Sequence, residues 1–399
     1  MKRREFVLGA TSFAGLVYAS GLKAATPCWP ALDDSVGSKT CPQENGGSSL
    51  AGDASRLSPG ESLDSIAMPN NIEEWDISWQ NRTAFFDETR REIHYMGKPQ
   101  ASLGGRNRST HHIYSETTNT WRTISTNVTP NSYGHIWCVT FDHTFRPGDY
   151  YHVQQQPSEG NNTRTLLRYN RQADSWGKLP DAAFDVWNNS ATPNPGPVFH
   201  PNLLGPGRPG IYCFSNDELS YFDVVNERWT LVREGIVYDG TYGNWKHSSS
   251  LYIPGLDLAL FGGGENGGSV VLAIAGGNAD DSTPPVYRIP NGVRISNVEY
   301  DANSYNMLLD PTDPTERTVM LLQRGGGRVY KCNNPAGGAG AWQLQSYSHP
   351  FWNDNPYRLG NNGDYGSWTC CAIPRYGVIL GMGSHAGGGT IMWRPGSST

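Results

Sequence analysis

Residues 220–232, SYFDVVNERWTLV, contain the pattern that decides the fold of this chain. Aromatic residues occupy an apolar segment, a short polar turn follows, and a Trp opens the next segment. Short apolar runs bounded by polar turn residues are typical of β-strands joined in a hairpin. The same pattern returns in LLRYNRQADSWGKLP at 166–180 and in HHIYSETTNTWRTI at 111–124. The chain therefore repeats one β unit.

The complete unit has an apolar strand, a polar turn, a second apolar strand, a Gly-rich loop and then the hairpin that contains the Trp. Its copies lie at 84–124, 136–179, 197–232, 249–290, 306–344 and 368–394. The last copy has three strands, and the segment EEWDISW within 72–79 precedes the first copy as an unpaired strand. Circular repeats protect their sheet edges. We therefore predict that residues 72–79 complete the last sheet and close a ring.

The composition agrees with a chain of many short strands. The 47 Gly and 27 Pro residues supply turns, and the 13 Trp, 20 Tyr and 12 Phe residues supply apolar surface that a disordered chain lacks. No long stretch has helical periodicity. The predicted fold is all-β, a single β-propeller of six to seven four-stranded blades. A seventh blade would lie in the irregular stretch 265–305.

The N-terminus has the features of an export signal over residues 1–25. Lys2, Arg3 and Arg4 precede an apolar run at 6–18 that is too short to span a bilayer. The Arg pair resembles a twin-arginine signal, and an ordinary secretory signal is the alternative. We expect a secreted or periplasmic protein without a membrane span.

Two further regions follow the signal, a polar N-terminal arm at 26–71 and the propeller at 72–399. Cys28 and Cys41 could form a disulfide in the arm, because export leads to an oxidising compartment. The formal net charge of −6 argues against nucleic acid as a partner, since phosphate binding needs a basic surface. No spaced Cys/His ligand set indicates a metal, so no cofactor is required, although the loops leave room for a structural ion. We expect a monomer.

Strands alternate in direction within a blade. The loop that enters the first strand and the loop between the second and third strands therefore lie on the same face of the propeller. These loops are rich in His, Arg, Asn and Tyr. The site residues predicted from them are Arg106, Arg108, His111, His112, His135, Asn244, Lys246, His247, Arg324, Arg328, Asn362, Tyr365 and His385. The histidines outside these loops are predicted to pack within blades, and they include His94, His143, His152 and His349.

These side chains favour one kind of sugar chemistry. Glycoside hydrolysis usually takes two carboxylates, and the loops offer only Glu265 and Asp364, far apart in the repeat order. β-Elimination from a uronic acid instead needs a base, a cation that neutralises the sugar carboxylate, and an acid for the leaving oxygen. Histidine titrates near neutral pH and can serve as that base, and Arg pairs with carboxylates.

The spaced Tyr and Trp residues and the run Gly262-Gly263-Gly264 make residues 72–394 resemble the kelch family of β-propellers. Propellers include enzymes and binding modules alike. The His and Arg loops are similar in kind to those of propeller-fold polysaccharide lyases, especially the ulvan lyases. That resemblance implies proton transfer by His112, His135 and Tyr365. It implies that the remaining predicted residues bind an anionic, uronic-acid-containing and sulfated polysaccharide.

Two alternatives remain open from the residues alone. The first is a propeller that binds carbohydrate or protein without catalysis. The second is a copper-radical oxidase, a class that also contains kelch blades and requires two His, two Tyr and a Cys that is cross-linked to one Tyr. Tyr151 and His152 fit part of that set, but they are predicted to lie inside a strand.

Overall fold

Each copy of the repeat folds into one blade, an antiparallel sheet built on four strands, and the last copy supplies three of the four strands of its blade. The computed structural model describes residues 38–41, 48–67, 84–97, 110–125, 139–155, 164–182, 196–215, 218–234, 237–238, 241–242, 249–263, 269–295, 304–351, 369–382 and 389–396. Within these ranges there are six blades of four antiparallel strands, which agrees with the lower of the two predicted numbers. Ser38–Cys41 adds a fifth strand to blade 1, and Arg294–Ile295 adds a parallel fifth strand to blade 5. The described part of the irregular stretch belongs to blades 4 and 5 and forms no seventh blade.

The segment before the first repeat contributes β1 (Ser38–Cys41), helix α1 (Leu50–Ser55) and β2 (Ser62–Ala67). The strands of blades 1, 2 and 3, four to each blade in chain order, are β3 (Ala84–Asp87), β4 (Glu92–Gly97), β5 (Thr110–Ser115), β6 (Thr120–Ser125), β7 (Val139–Phe141), β8 (Tyr150–Gln155), β9 (Arg164–Asn170), β10 (Ser175–Lys178), β11 (Val198–His200), β12 (Gly210–Ser215), β13 (Glu218–Asp223) and β14 (Arg228–Arg233).

A small hairpin, β15 (Val237–Tyr238) and β16 (Thr241–Tyr242), precedes blade 4. The remaining strands are β17 (Ser250–Ile253), β18 (Leu258–Gly262), β19 (Val270–Ala275), β20 (Val286–Arg288), β21 (Arg294–Ile295), β22 (Ser304–Leu309), β23 (Val319–Gln323), β24 (Val329–Cys332), β25 (Gln343–Leu344), β26 (Thr369–Ile373), β27 (Val378–Met382) and β28 (Gly389–Trp393). Blade 4 contains β17–β20, blade 5 contains β22–β25, and blade 6 contains β26–β28 with β2. Short 3-10 helices lie at Pro254–Leu256, Pro335–Gly337, Ala339–Ala341 and Pro374–Tyr376.

The aromatic hairpin of the sequence joins the third and fourth strands of a blade. Phe222 lies directly opposite Trp229 in blade 3, and Tyr169 lies opposite Trp176 in blade 2. Facing aromatic side chains stabilise a strand pair. In blade 3 the turn ends at Glu227, whose φ of 49° lies in the left-handed region. Asn119 and Asp174 occupy the same turn position in blades 1 and 2, also with positive φ, so the shared turn explains the shared spacing.

The turn of blade 3 offers a route to higher stability. Asn adopts the left-handed conformation more readily than Glu, so Glu227→Asn is expected to raise the free energy of unfolding by about 0.5 kcal/mol. The ion pair that is lost, to Arg168 at 3.6 Å, is partly exposed and contributes little. Urea denaturation measures the change. Glu227→Gln removes the charge without relieving the backbone and should be nearly neutral. A loss of stability in the Asn variant would contradict the account.

The ring closes as the repeat pattern predicts, but a different segment closes it. β2 pairs antiparallel with β28 and supplies the fourth strand of blade 6. The Thr390 hydroxyl donates to the Ile66 carbonyl at 2.9 Å, and the Ile66 side chain is fully buried. The segment expected to do this, 72–79, lies outside the described residues. The propeller therefore begins before residue 72, and part of the expected polar arm is a blade strand.

The core lies between the blades rather than in one central mass. Six clusters of buried residues each combine side chains from two neighbouring blades across the described residues. The cluster between blades 6 and 1 also includes Leu50 and Ala54 of α1 and Ile66 of β2. The first strands of the blades contact one another around a central channel. In the described ranges no helix is long and apolar enough to cross a membrane.

The alternation of strands gives the propeller two faces. We call the face with the connections between blades and the loops between second and third strands the loop face. We call the opposite side, with the turns between first and second strands and between third and fourth strands, the turn face. The predicted site lies on the loop face.

Candidate functional site

The structure describes His111, His112, Arg324 and Arg328 among the predicted site residues. The others lie outside the described residues, and their roles stay predictions; they are Arg106, Arg108, His135, Asn244, Lys246, His247, Asn362, Tyr365 and His385.

The prediction that His112 lies in a loop is wrong, because it lies inside β5. Its side chain is 1% exposed, its ring stacks on Tyr95 at 6.0 Å, and its Nδ1 lies 2.9 Å from the Thr123 hydroxyl. Burial lowers the pKa of His112 to about 3. The imidazole is therefore neutral and closed to solvent, so it has no route for a proton to or from a polymer.

His111 points to the other side of β5, toward blade 2, and is also buried. Its Nε2 lies 3.1 Å from Nδ1 of His94, and its ring meets Tyr169 edge-on at 4.5 Å. Burial holds the pKa of His111 well below its ordinary value, and the neighbouring His94 adds to the effect. His111 thus packs between blades 1 and 2, and the prediction that it contacts substrate from a loop is wrong for this buried position.

The predicted packing role is confirmed for three of the other histidines and holds in part for the fourth. His94, His152 and His349 are buried, with 2% exposure or less. His143 is exposed on the turn face, and its ring packs edge-on against Phe141 at 4.9 Å. The Tyr151–His152 pair of the oxidase alternative lies inside β8 and is buried, as predicted.

Because several imidazoles are buried, we expect the stability of the protein to fall in acid. Burial lowers the pKa of His112 to about 3 and the pKa values of His152 and His349 to about 4. Stability is therefore complete above the unfolded pKa of about 6.5 and is lost as the pH falls toward these lower values, because only the unfolded chain takes up the protons. Each group should cost about 1–2 kcal/mol by pH 5.

Urea midpoints at pH 7.5 and pH 5 measure this loss. His349→Gln removes one titrating group and should flatten the pH dependence, whereas His143→Gln at the exposed position should leave it unchanged. A midpoint that does not move between the two pH values would show that the buried imidazoles accept protons within the fold.

Arg324 and Arg328 do lie on the loop face, in the tight loop between β23 and β24. Gly327 in this loop has a φ of 68°, a conformation that favours glycine. The Arg328 side chain is exposed. Burial raises the pKa of Tyr305 in β22 to about 12, and the nearby charge of Arg328 opposes that rise. The loop thus places two guanidinium groups at the end of blade 5.

Arg324 differs from its neighbour because its side chain is buried, with 8% exposure. Its backbone N–H donates to the Ser304 carbonyl at 3.0 Å. Its charge acts on Cys370, in the innermost strand of blade 6, where burial raises the thiol pKa to about 12 and Arg324 opposes that rise. Blade 6 lies between this loop and His112 in blade 1, so the structure does not bring the two predicted groups together.

One charged cluster was missed by the sequence analysis. Ligand atoms of Asp87, Glu92 and His94 all lie within 4.8 Å of one another, and the three residues are buried. Glu92 accepts from Arg171 Nε at 2.8 Å and Nη2 at 2.6 Å, while Asp87 accepts from Arg90 at 3.1 Å. The two carboxylates and two guanidinium groups balance in charge without an ion. The cluster therefore joins blades 1 and 2. Asp87, Glu92 and His94 are close in sequence, but their contact with Arg171 depends on which blades pack together.

Burial raises the pKa of Glu92, but the proximity of His94 and the hydrogen bonds from Arg171 outweigh this effect and bring the value to about 2. Glu92 is thus ionised at any ordinary pH and holds the Arg171 guanidinium. This arrangement suits a structural ion pair and not a general acid.

A cavity of about 370 Å³ occupies the central channel near the turn face. Its volume falls within the range of small-molecule sites. Side chains of the first strands form its walls, and residues of the first turns surround its opening. No repeat pattern indicates this cavity, because its walls come from six separate strands.

Comparison with known proteins identifies the fold. No protein-family model matches the chain, and no curated protein is similar to it in sequence. The kelch resemblance therefore stays a prediction. An α-L-arabinofuranosidase of Fusarium graminearum in complex with an iminosugar inhibitor has 10% identity and a TM-score of 0.51, over 84% of this chain and 98% of that chain.

An α-L-arabinanase of Penicillium chrysogenum complexed with arabinobiose has 11% identity and a TM-score of 0.50, over 83% of this chain and 97% of that chain. At such identity the likeness shows the fold alone. The chain shares its β-propeller fold with carbohydrate-active enzymes.

Proposed function

We propose that the chain is an exported lyase that cleaves an anionic, uronic-acid-containing polysaccharide by β-elimination at the loop face. The observation that carries the proposal is the position of Arg324. A guanidinium with 8% exposure lies at the loop face, beside the innermost strand of blade 6. A cation in such a low-dielectric place binds a carboxylate more strongly than one on the open surface.

The proposed reaction divides three tasks among four side chains. Arg324, with Arg328 at the rim, neutralises the sugar carboxylate. His135 accepts the proton from the carbon next to that carboxylate, and Tyr365 donates its hydroxyl proton to the leaving glycosidic oxygen. The C–H and C–O bonds break, and a C=C bond forms between the two carbons. His112 has no part in this scheme, because it is closed to solvent.

The arabinofuranosidase and the arabinanase support a carbohydrate polymer as the substrate class, since the same fold serves both. Their names indicate hydrolysis, however, and the proposal differs from them in the reaction. The difference rests on the Arg and His residues of the loops, which suit an acidic sugar.

One experiment separates the reactions. The purified protein is incubated with ulvan, alginate, pectin, glycosaminoglycans and arabinan, and both reducing ends and the ultraviolet absorbance of unsaturated uronate are followed. We expect both signals to rise with at least one uronic polymer. Reducing ends without the absorbance would indicate a hydrolase and contradict the proposal. No signal with any polymer would favour a propeller that binds without catalysis.

A further inference from the structure

The central cavity has apolar walls and an acidic rim. Phe85, Phe141, Leu251 and Leu309 are among its wall residues. Glu88 and Glu316 lie at its rim, in the first turns of blades 1 and 5. The cavity therefore combines a space for an apolar group with negative charge at the turn face.

The negative charges of the two rim carboxylates are compensated to different extents. Glu88 accepts from the backbone N–H of Arg375 at 3.0 Å and from its Nε at 3.1 Å. Glu316 forms no ion pair with any residue that the structure describes. Burial raises the pKa of Glu316, and the charges of Glu88 and Asp313 raise it further. The rim thus has excess negative charge at Glu316.

The backbone holds Glu316 in a defined turn. Its φ of 52° lies in the left-handed region, which costs a residue with a Cβ about 1 kcal/mol. The Gly255 N–H donates to the Glu316 carbonyl at 3.1 Å and holds this turn against blade 4. The position of Glu316 at the cavity rim is therefore fixed by the turn and its contact with blade 4.

We propose that this end of the channel binds a primary ammonium group that is attached to a short apolar stem. The ammonium would lie between Glu316 and Glu88 at the rim, and the stem would fill the space between Phe85, Phe141 and Leu309. An ammonium donates three hydrogen bonds and suits two acceptor-only carboxylates. The site is separate from the proposed lyase site on the loop face.

Charge complementarity selects this ligand over its analogues. A carboxylate in place of the ammonium would meet Glu316 and Glu88 at close range, where like charges repel. The Arg375 guanidinium near the rim already binds Glu88, and the imidazole of His143, which also lines the cavity, packs against Phe141. A neutral alcohol would gain the apolar contacts but leave the charge of Glu316 uncompensated.

Ligand-observed NMR titration on the full chain tests the proposal with three probes of equal length: n-hexylammonium, 1-hexanol and hexanoate. No polysaccharide is present, so the result does not depend on the proposed lyase activity. We expect n-hexylammonium to bind about tenfold more tightly than 1-hexanol and hexanoate to bind most weakly. Equal affinity for the three probes, or no binding of n-hexylammonium, would overturn the proposal.

Matched variants locate the site. Glu316→Gln should weaken n-hexylammonium binding about five- to tenfold and leave 1-hexanol unchanged. Glu234→Gln makes the same chemical change at an exposed position after β14 and should change neither affinity. Leu309→Trp fills the cavity and should weaken all three probes. If Glu316→Gln and Glu234→Gln behave alike, the ammonium does not bind at this rim.

Discussion

Replacing His135 by Ala is expected to lower the rate of eliminative cleavage about 10²–10⁴-fold, the usual cost of losing a general base. The loss should appear mainly in kcat, because the base acts on the proton in the transition state and contributes little to holding the polymer. Initial rates of absorbance increase with the responsive uronic polymer, taken over a range of concentrations, separate kcat from KM. The expected loss applies at neutral pH, where a neutral imidazole accepts the proton.

His143→Ala serves as the matched control. It makes the same substitution at an exposed position on the turn face, so it should keep the wild-type rate. Both variants should retain the wild-type melting temperature to within a few degrees. A folded His135→Ala protein that keeps its activity would contradict the assignment of the base and leave the propeller fold unaffected.

Replacing Ile66 by Asp is expected to destabilise the whole propeller by at least about 4 kcal/mol. Ile66 is fully buried in the cluster that joins blades 6 and 1, and its backbone belongs to the strand that closes the ring. An aspartate there loses the apolar contacts and places an unpaired charge among Ile373, Leu380 and Met392. Urea unfolding, followed by tryptophan fluorescence and far-ultraviolet circular dichroism, measures the change.

Asp64→Ala provides the control on the same strand. Asp64 is exposed, and an exposed substitution of this kind usually changes stability by less than about 0.5 kcal/mol. If Ile66→Asp unfolds at nearly the wild-type urea concentration, β2 is a peripheral strand and the ring is held by other contacts. If the two probes show separate transitions, blade 6 opens before the rest.

The local sequence pattern was sufficient to predict the blades. The aromatic residue, the turn and the Trp within 166–180 and 220–232 specify a hairpin, because turn length and the facing aromatic side chains depend only on neighbouring residues. The unpaired edge of the last copy further requires an N-terminal strand. The repeat pattern predicted segment 72–79 for that strand. The use of segment 62–67 depends on burying Ile66 between blades 6 and 1, which is not a local property of the sequence.

The features of the candidate site also fall into two groups, those that the sequence predicts and those that depend on packing. The sequence by itself determined the repeat, the ring and the loop that contains Arg324 and Arg328, because each follows from the order of strands along the chain. Only the tertiary structure decided that His112 is buried, that Arg171 of blade 2 holds Glu92 of blade 1, and that a cavity with Glu316 at its rim lies in the channel. Burial and charge pairing depend on which blades pack together, and contacts between distant segments leave no periodic trace in the sequence.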